Sequence, residues 1–243
     1  MLINNGLEEE VPIAILKTDS VLPQFKDQYG EYPQMLERLI GTLRADLEFK
    51  TYDVVAGDYP QNPSEFDGFF IMGSKASVYD SDPWIQRLGE YIQKLYAEKR
   101  KIVGVCFGHQ LLAHVLGGRT EKSEKGWGVG VHTARVINPQ AWMLSDGLEF
   151  NLLVSHQDQV TTLPDHAVHI ASNEFCQYSM FSIANHVLGM QGHPEFSAAY
   201  ALQLMNLRQE KIGTETFREG VNSLSQPTHE SVITQWMIRF LEV

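Results

Sequence analysis

The sequence predicts an α/β fold in which a mostly parallel, open sheet is flanked by helices. Two observations lead to this prediction. In the first half of the chain, short apolar runs alternate with longer segments whose apolar residues recur at helical spacing, and strands that alternate with helices form parallel sheets through right-handed crossovers. Between residues 126 and 190 the pattern changes to short alternating runs separated by turn residues. These runs predict antiparallel strands that extend the sheet.

The first elements are three predicted strands and one predicted helix. A strand is predicted at residues 11–16, and a helix at residues 32–43 carries its apolar residues on one face. The two valines at residues 54–55 predict a second, weaker strand. The run at residues 69–72 predicts a third strand, which Gly73 closes.

The next elements repeat the order of helix and strand. Asp82-Pro83 combines a cap residue with a first-turn proline, which predicts the start of a helix that runs to about residue 100. A fourth strand is predicted at residues 102–105. The helix predicted at residues 107–116 is ended by Gly117-Gly118.

The rest of the chain is predicted to hold shorter strands and then helices. The strands are predicted at residues 129–137, 152–154, 168–171 and 186–190, and the tail from residue 197 is predicted to be helical, with a last amphipathic helix near residues 230–241. We expect a single domain over residues 11–243, because the chain shows no internal repeat, low-complexity tract or linker. Residues 1–10 are polar and are interpreted as a flexible lead-in.

The charge balance excludes several kinds of partner. The chain has 19 Lys and Arg against 30 Asp and Glu, a formal net charge of −11. A surface of that sign repels nucleic-acid backbones and anionic lipids, so we expect neither a nucleic acid nor a membrane as a partner. This balance excludes a broad basic surface, although it does not exclude a small basic pocket.

The predicted location is the cytoplasm. No apolar run approaches the roughly 20 residues that span a bilayer. The N-terminus ends in Glu8-Glu9-Glu10, which is the opposite of a secretory signal. In this setting the two cysteines, Cys106 and Cys176, are expected to be reduced.

The most informative stretch is Gly-Val-Cys-Phe-Gly at residues 104–108, between a predicted strand and a predicted helix. In this setting the pattern is typical of a nucleophile elbow, a sharp turn that projects a reactive side chain above the sheet edge. The helix N-terminus stabilises a thiolate, and the amide of Phe107 can point at a developing oxyanion. The sequence thus predicts Cys106 as a nucleophile; the alternative is a small buried residue.

A thiol that attacks an amide needs a base, and the base needs a group that orients it. Gly-His-Pro-Glu-Phe at residues 192–196 follows a predicted strand. The proline between the two polar residues stiffens the segment and keeps His193 and Glu195 within hydrogen-bonding range. Taken alone, His-Pro-Glu is typical of a turn. Together with the elbow, it predicts His193 as the base and Glu195 as its orienting partner.

Other polar residues compete for chemical roles. His109 is close to Cys106 in sequence and is a rival base, but it lacks an acidic neighbour. Cys176 has no elbow around it and is interpreted as structural. Residues 165–169 include one Asp and two His, but neither a cysteine nor a helical pair of histidines supports a zinc site. We therefore expect no metal.

The motifs together resemble those of a known family. Residues 101–118, KIVGVCFGHQLLAHVLGG, resemble the nucleophile segment of class I glutamine amidotransferases, and residues 192–196, GHPEF, resemble their His-x-Glu segment. Residues 154–160, VSHQDQV, resemble a stretch of the amidotransferase domain of GMP synthase. The similarity spans nearly the whole chain and implies a flavodoxin-like class I amidotransferase fold. It also implies that Cys106 attacks the γ-amide of glutamine to form a γ-glutamyl thioester and ammonia, without a cofactor, before water releases glutamate.

The resemblance further implies a set of substrate-binding residues. Gln110, one turn beyond the nucleophile, matches a glutamine-contacting position. Ser155, His156 and Gln157 match a loop that lines the substrate pocket, partly through backbone atoms. The alternative for His156 is a loop residue that packs near the site.

The loop after the third strand departs from the pattern of synthetase-linked members, which show Gly-Gly-Pro there. In those members a backbone amide of this loop completes the oxyanion hole, which implies that role for Gly73 and Ser74 beside Phe107. The stretch at residues 73–80 is GSKASVYD. Together with Asp-Pro-Trp-Ile at residues 82–85, it looks more like free-standing members, including the plant γ-glutamyl peptidases.

Three functions therefore stay open. The first is an amidotransferase subunit that hands ammonia to a separate synthetase. The second is a free-standing γ-glutamyl peptidase or hydrolase that acts on γ-glutamyl peptides or metabolites, since no synthetase domain is expected in the chain and an ammonia donor without an acceptor would waste glutamine. The third is a non-catalytic binding protein; intact Cys106, His193 and Glu195 weigh against it.

Overall fold

The computed structural model describes residues 12–143 and 149–242. The predicted lead-in at residues 1–10, the first residue of the first predicted strand, and Val243 lie outside the described residues. The strands are β1 (Ile13–Lys17), β2 (Phe49–Asp53), β3 (Gly68–Ile71), β4 (Lys101–Val105), β5 (Arg119–Lys122), β6 (Gly128–Val136), β7 (Glu149–His156), β8 (Asp158–Thr162), β9 (Ala167–Ser172), β10 (Met180–Ile183) and β11 (Val187–Met190). The helices are α1 (Pro23–Tyr29), α2 (Tyr32–Gly41), α3 (Pro83–Ala97), α4 (Phe107–Val115), α5 (Ala198–Leu207), α6 (Gln209–Ile212), α7 (Thr214–Ser223) and α8 (Glu230–Glu242).

Within the described part of the chain, the main sheet has nine strands in the order β2-β1-β3-β4-β11-β10-β9-β6-β7. Strands β2, β1, β3, β4 and β11 are mutually parallel. The strands beyond β11 join it through antiparallel pairings. The predicted α/β fold, with a mostly parallel sheet and an antiparallel extension, is confirmed. A small antiparallel pair, β5 with β8, lies apart from this sheet.

The inner parallel strands β1, β3 and β4 are buried on both faces, and neighbouring residues of each strand point to opposite faces of the sheet. On one face, Ile15, Phe70 and Val103 share an apolar cluster with side chains of α2 and α8. On the other face, Leu16 and Ile71 share a second cluster with side chains of α3 and α4. Helices cover both faces of the sheet and exclude water there, so polar groups gather at the ends of the strands.

Several predicted elements need correction. The valines at residues 54–55 are not a strand; they belong to a 3-10 turn, Val54–Ala56, that follows strand β2. Strand β2 has no buried residue and carries Lys, Thr and Asp, because it lies at the edge of the sheet. Its apolar pattern was therefore too weak to predict. The helix α1 and the strands β5, β8 and β10 were also missed.

The helical tail was predicted correctly in type but not in detail. It contains four helices, α5 to α8, of which the last matches the predicted amphipathic helix at residues 230–241. In the described part of the chain, every helix is too short or too polar to cross a membrane.

Candidate active site

The turn that carries Cys106 is strained, as the elbow pattern predicts. Cys106 joins β4 to α4 with φ 51° and ψ −100°, a region that non-glycine residues rarely occupy. The flanking glycines allow the close approach. A Cβ on Gly104 would lie 2.5 Å from the backbone carbon of Gly108, and one on Gly108 would lie 2.3 Å from the backbone oxygen of Ile71. Side chains at either glycine would force the strand and helix apart.

The neighbouring strand brings His193 to the same edge of the sheet. Strand β11 lies beside β4 and parallel to it, and the Cys106 amide donates to the backbone oxygen of Met190 at 2.9 Å. The chain after β11 therefore emerges next to the elbow. There the amide of His193 donates to the backbone oxygen of Leu153 at 2.8 Å, which ties this segment to β7.

The histidine side chain is oriented by two neighbours. Its Nδ1–H donates to Glu195 Oε1 at 2.8 Å, and both side chains are buried. The ring of Phe196 stacks on the imidazole, with centroids 3.9 Å apart and planes 7° from parallel. These contacts fix the ring plane and leave Nε2 as the free nitrogen. Phe196 belongs to the His-x-Glu segment, but the sequence suggested no role for it.

Cys106 and His193 line one small cavity of about 30 Å³ together with Glu195. A Cβ on Gly73 would lie 2.9 Å from Cε1 of His193 and 3.7 Å from Cβ of Cys106. The loop after β3 therefore closes over the thiol and the imidazole, and only a glycine fits at that position.

Electrostatics favour a charged imidazole. Burial acts to lower the pKa of His193, but the negative charges of the Glu195 carboxylate and of the nearby Cys106 sulfur outweigh burial and raise the pKa of His193 above its ordinary value. The buried pair thus holds a proton on the imidazole, beside a sulfur that lies at the N-terminus of α4. An imidazolium and a helix N-terminus both stabilise a thiolate.

The rival residues lie elsewhere. His109 is completely buried and packs on Phe181, with ring centroids 5.1 Å apart, and burial lowers the pKa of His109 to about 3. Burial raises the pKa of the Cys176 thiol to about 12. Neither residue is among the described residues that line the two cavities.

Two hydrogen bonds hold the loop that contains the predicted oxyanion residues Gly73 and Ser74. Thr18 Oγ1 donates to the backbone oxygen of Gly73 at 2.9 Å, and Asp19 accepts from the amide of Lys75 at 3.0 Å. Across the residues that the structure describes, no acceptor takes up the amide of Gly73 or Ser74. The amide of Phe107 is the first in α4 and has no partner within the helix. Gly73 and Ser74 line the small cavity with Cys106, whereas Phe107 is not among the described residues that line either cavity.

The predicted substrate-binding residues line a larger cavity, about 520 Å³ in volume, that also contains Cys106. Gln110 Nε2 donates to the backbone oxygen of Asp158 at 2.7 Å, and His156 Nδ1 donates to the same oxygen at 2.9 Å. Ser155 and His156 were predicted in a loop, but they end strand β7, and Gln157 connects it to β8. The antiparallel pairings that lead from β11 to β7 give the two strands the same direction, so their ends meet at one edge.

His156 combines both interpretations offered for it. It lines the larger cavity, yet it is buried and packs edge-on against Phe175 at a centroid distance of 5.4 Å. Burial lowers the pKa of His156 to about 3, which keeps the ring neutral.

The structure adds cavity residues that the sequence did not suggest. Tyr32, Trp127, Arg208 and Lys211 line the larger cavity. They come from segments far from the recognised motifs, and no local pattern marks them. Only the tertiary fold brings helix α2, the junction of α5 with α6 and the residue before β6 to the cavity that contains Cys106.

Comparison with known proteins places this geometry in a family. The model of the family "Glutamine amidotransferase class-I" matches residues 24–204. The chain is 30% identical to gamma-glutamyl peptidase 3 of Arabidopsis thaliana over 74% of its own length and 75% of the relative. It is 27% identical to a glutamine-hydrolyzing GMP synthase subunit of Methanococcoides burtonii, over 70% of its length and 84% of the relative.

The fold is also similar to that of a solved glutamine amidotransferase. A glutamine amidotransferase structure from Thermotoga maritima superimposes with a TM-score of 0.72 at 16% identity, covering 96% of both chains. This likeness concerns the fold alone. Because the family model covers most of the chain and includes both the elbow and the His-x-Glu segment, the protein belongs to the class I glutamine amidotransferase family.

Proposed function

We propose that this protein is a cysteine-dependent amidohydrolase that cleaves the γ-amide of glutamine through a γ-glutamyl thioester. One observation supports the proposal most strongly. Cys106, at the elbow, shares a cavity with His193, and Nδ1 of His193 donates a hydrogen bond to Glu195. This is the arrangement of nucleophile, base and orienting carboxylate that acyl transfer requires.

In the first step the thiolate of Cys106 attacks the γ-carbonyl carbon. The carbonyl electrons move to oxygen, and the free amides of Phe107, Gly73 and Ser74 stabilise the oxyanion. The carbon–nitrogen bond then breaks, and the imidazolium of His193 gives its proton to the leaving nitrogen. The products of this step are ammonia and a γ-glutamyl thioester, with a neutral imidazole.

In the second step that imidazole takes a proton from water, which attacks the thioester carbon. The carbon–sulfur bond breaks, glutamate leaves, and the thiolate–imidazolium pair is restored. Glu195 keeps the proton on the correct nitrogen and stabilises the imidazolium. The thiol supplies the nucleophile and the histidine moves the proton, so the two steps need no cofactor. We propose that one domain, residues 11–243, carries them.

A second candidate function has its own support. The relatives include a protein named gamma-glutamyl peptidase, and the cavity of about 520 Å³ lies in the range of sites that enclose ligands larger than an amino acid, roughly 300–1,000 Å³. The alternative is therefore hydrolysis of γ-glutamyl peptides or metabolites. The thioester chemistry is the same, and only the leaving group differs.

A substrate panel tests the proposal and separates the two candidates. We expect glutamate release from glutamine, and the measurement compares kcat/KM for glutamine with values for γ-glutamyl amides and dipeptides. Strong peptide hydrolysis with feeble glutaminase activity would favour the peptidase. Feeble activity on every compound, raised by a separate synthetase that accepts ammonia, would favour an amidotransferase subunit. No glutamate release under any of these conditions would contradict both.

Replacing Glu195 by glutamine should lower kcat and shift the pH profile. The carboxylate raises the pKa of His193 against burial, so in its absence the imidazolium loses its proton at a lower pH. The alkaline limb of kcat/KM should therefore move toward lower pH. We expect kcat to fall by up to about 10³-fold, less than the ~10⁴-fold loss in serine enzymes, because a thiol is the stronger nucleophile.

The control for this variant is Glu219→Gln, an exposed residue of α7 that makes the same change of charge. It should leave kcat and both limbs of the profile in place. An alkaline limb that stays unchanged in Glu195→Gln would contradict the role proposed for this carboxylate.

A further inference from the structure

Two of the cations that line the larger cavity have no carboxylate partner among the described residues and no part in the proposed mechanism. Arg208 and Lys211 both line it beside Cys106. In residues 12–143 and 149–242, neither forms an ion pair with a carboxylate. The whole chain has a net charge of −11, so two uncompensated cations at the reactive thiol run against the overall charge. They create a local positive potential that attracts anions.

The carboxylates that line the same cavity are already engaged. Asp19 forms an ion pair with Lys75 at 2.9 Å. The carboxylate of Asp158 accepts hydrogen bonds from the hydroxyl groups of Ser77 and Tyr79. These partners reduce the attraction that either carboxylate could offer to Arg208 or Lys211.

Arg208 is held in place by neutral groups. Its Nη1 donates to Ser155 Oγ at 2.9 Å, and its guanidinium lies over the ring of Trp127, 5.6 Å from the centroid, within the range of a cation–π contact. A guanidinium has five N–H donors, and these contacts leave most of them available. Arg208 also lines the small cavity that contains Cys106 and His193, so it belongs to the wall of the proposed cleavage site.

Arg208 and Lys211 together form a positively charged wall of the cavity, and Lys211 is its outer member. Its amide donates to the backbone oxygen of Arg208 at 2.9 Å, and residues three apart on a helical turn share a face. Lys211 is exposed, and the neighbouring Leu207 is 49% exposed. This wall therefore leads from the thiol to solvent. The leaving group must pass to solvent before water can attack the thioester, and this wall offers a path.

The wall belongs to the part of the chain that lies beyond the family match. The family model ends at residue 204, whereas Leu207, Arg208 and Lys211 follow it. The glutamyl group and the triad chemistry are common to the family, so residues outside the match are suited to recognise what differs among substrates.

We propose that Arg208 and Lys211 bind an anionic group on the leaving part of a γ-glutamyl substrate, such as the carboxylate of the amino acid released from a γ-glutamyl dipeptide. In such a dipeptide that carboxylate is attached to the carbon that carries the scissile nitrogen, which places it near Arg208. A guanidinium pairs with a carboxylate through two parallel hydrogen bonds. Trp127 lies beside the guanidinium of Arg208 and can pack against an apolar side chain of the leaving amino acid. The inference rests on the second candidate function, hydrolysis of γ-glutamyl peptides, and names its substrate class.

A binding experiment tests this inference separately from catalysis. Cys106→Ala protein, which cannot form the thioester, is titrated by calorimetry with γ-glutamyl-phenylalanine and with its C-terminal amide. We expect the free acid to bind about tenfold to a hundredfold more tightly, because the amide lacks the charge that pairs with Arg208. Adding Arg208→Gln or Lys211→Gln to Cys106→Ala should reduce this preference, and Arg208→Lys should retain part of it.

The matched control is Arg218→Gln, the same substitution at an exposed position of α7, which should retain the full preference. Equal binding of acid and amide would overturn the inference even if the wild-type protein hydrolyses γ-glutamyl compounds. In otherwise wild-type protein, Arg208→Gln should lower kcat/KM for the dipeptide more than kcat/KM for glutamine, since ammonia carries no carboxylate. An equal loss for glutamine and the dipeptide would mean that Arg208 holds the glutamyl part instead. Failure of wild-type hydrolysis with acid-selective binding intact would count against the proposed function alone.

Discussion

Glutamate release should fall by at least about 10⁴-fold when Cys106 is replaced by alanine, because the variant lacks the atom that forms the thioester. The fold should tolerate the change. Alanine has a Cβ like cysteine and so meets the same strain at φ 51°. The measurement is the rate of glutamate formation, alongside thermal unfolding to show that the variant is folded.

Cys176→Ala is the matched control for this experiment. Cys176 is equally a buried thiol, but its pKa is raised to about 12 by burial, and it lines neither cavity in the described structure. We expect Cys176→Ala to retain its activity, and iodoacetamide to label Cys106 and not Cys176. Unchanged turnover in Cys106→Ala, or equal labelling of the two thiols, would refute the assignment of the nucleophile.

Replacing His193 by alanine should lower kcat by about 10⁴-fold, since both the activation of the thiol and the protonation of the leaving nitrogen depend on the imidazole. The variant also leaves Glu195 buried without its partner, at a cost of roughly 3–5 kcal/mol in stability. Activity must therefore be measured at a temperature where the variant is folded. Added imidazole should restore part of the lost rate, because removal of the ring that stacks on Phe196 leaves a cavity of about its own size.

His114→Ala is a suitable comparison, because His114 lies on α4, the helix that begins at the elbow, and is not among the described residues that line either cavity. It should keep near-normal kcat and show no response to imidazole. If His193→Ala were fully active, or if imidazole raised the two variants equally, His193 would not be the base.

Most of the fold could be predicted because its signals are local. Strand β4 and helix α4 are consecutive apolar segments separated by the glycine pattern at residues 104–108, and both were correctly predicted. Strand β2 was misplaced because an edge strand buries no residue and so needs no apolar run. Strand β10 is fully buried but has only four residues, too few for a periodic pattern to distinguish strand from helix.

The candidate site likewise combines a local contact that the sequence could predict with contacts between distant segments that it could not. The hydrogen bond between His193 and Glu195 joins residues two apart, and a proline between them makes it predictable. The meeting of Cys106 with His193 depends on the pairing of β4 with β11, which no local pattern specifies. No sequence pattern predicted the contact between Arg208 and Trp127, because the two residues are 81 positions apart in the chain.

By itself the sequence determined the α/β class, the elbow and the His-Pro-Glu segment, because each depends on residues that are consecutive in the chain and on backbone preferences that act over a few positions. Only the tertiary structure decided which strand ends meet at one edge, which histidine faces the thiol, and which cations line the cavity. The physical reason is that these choices depend on burying apolar faces of distant segments against one another, and that free energy belongs to the whole core and not to any single stretch.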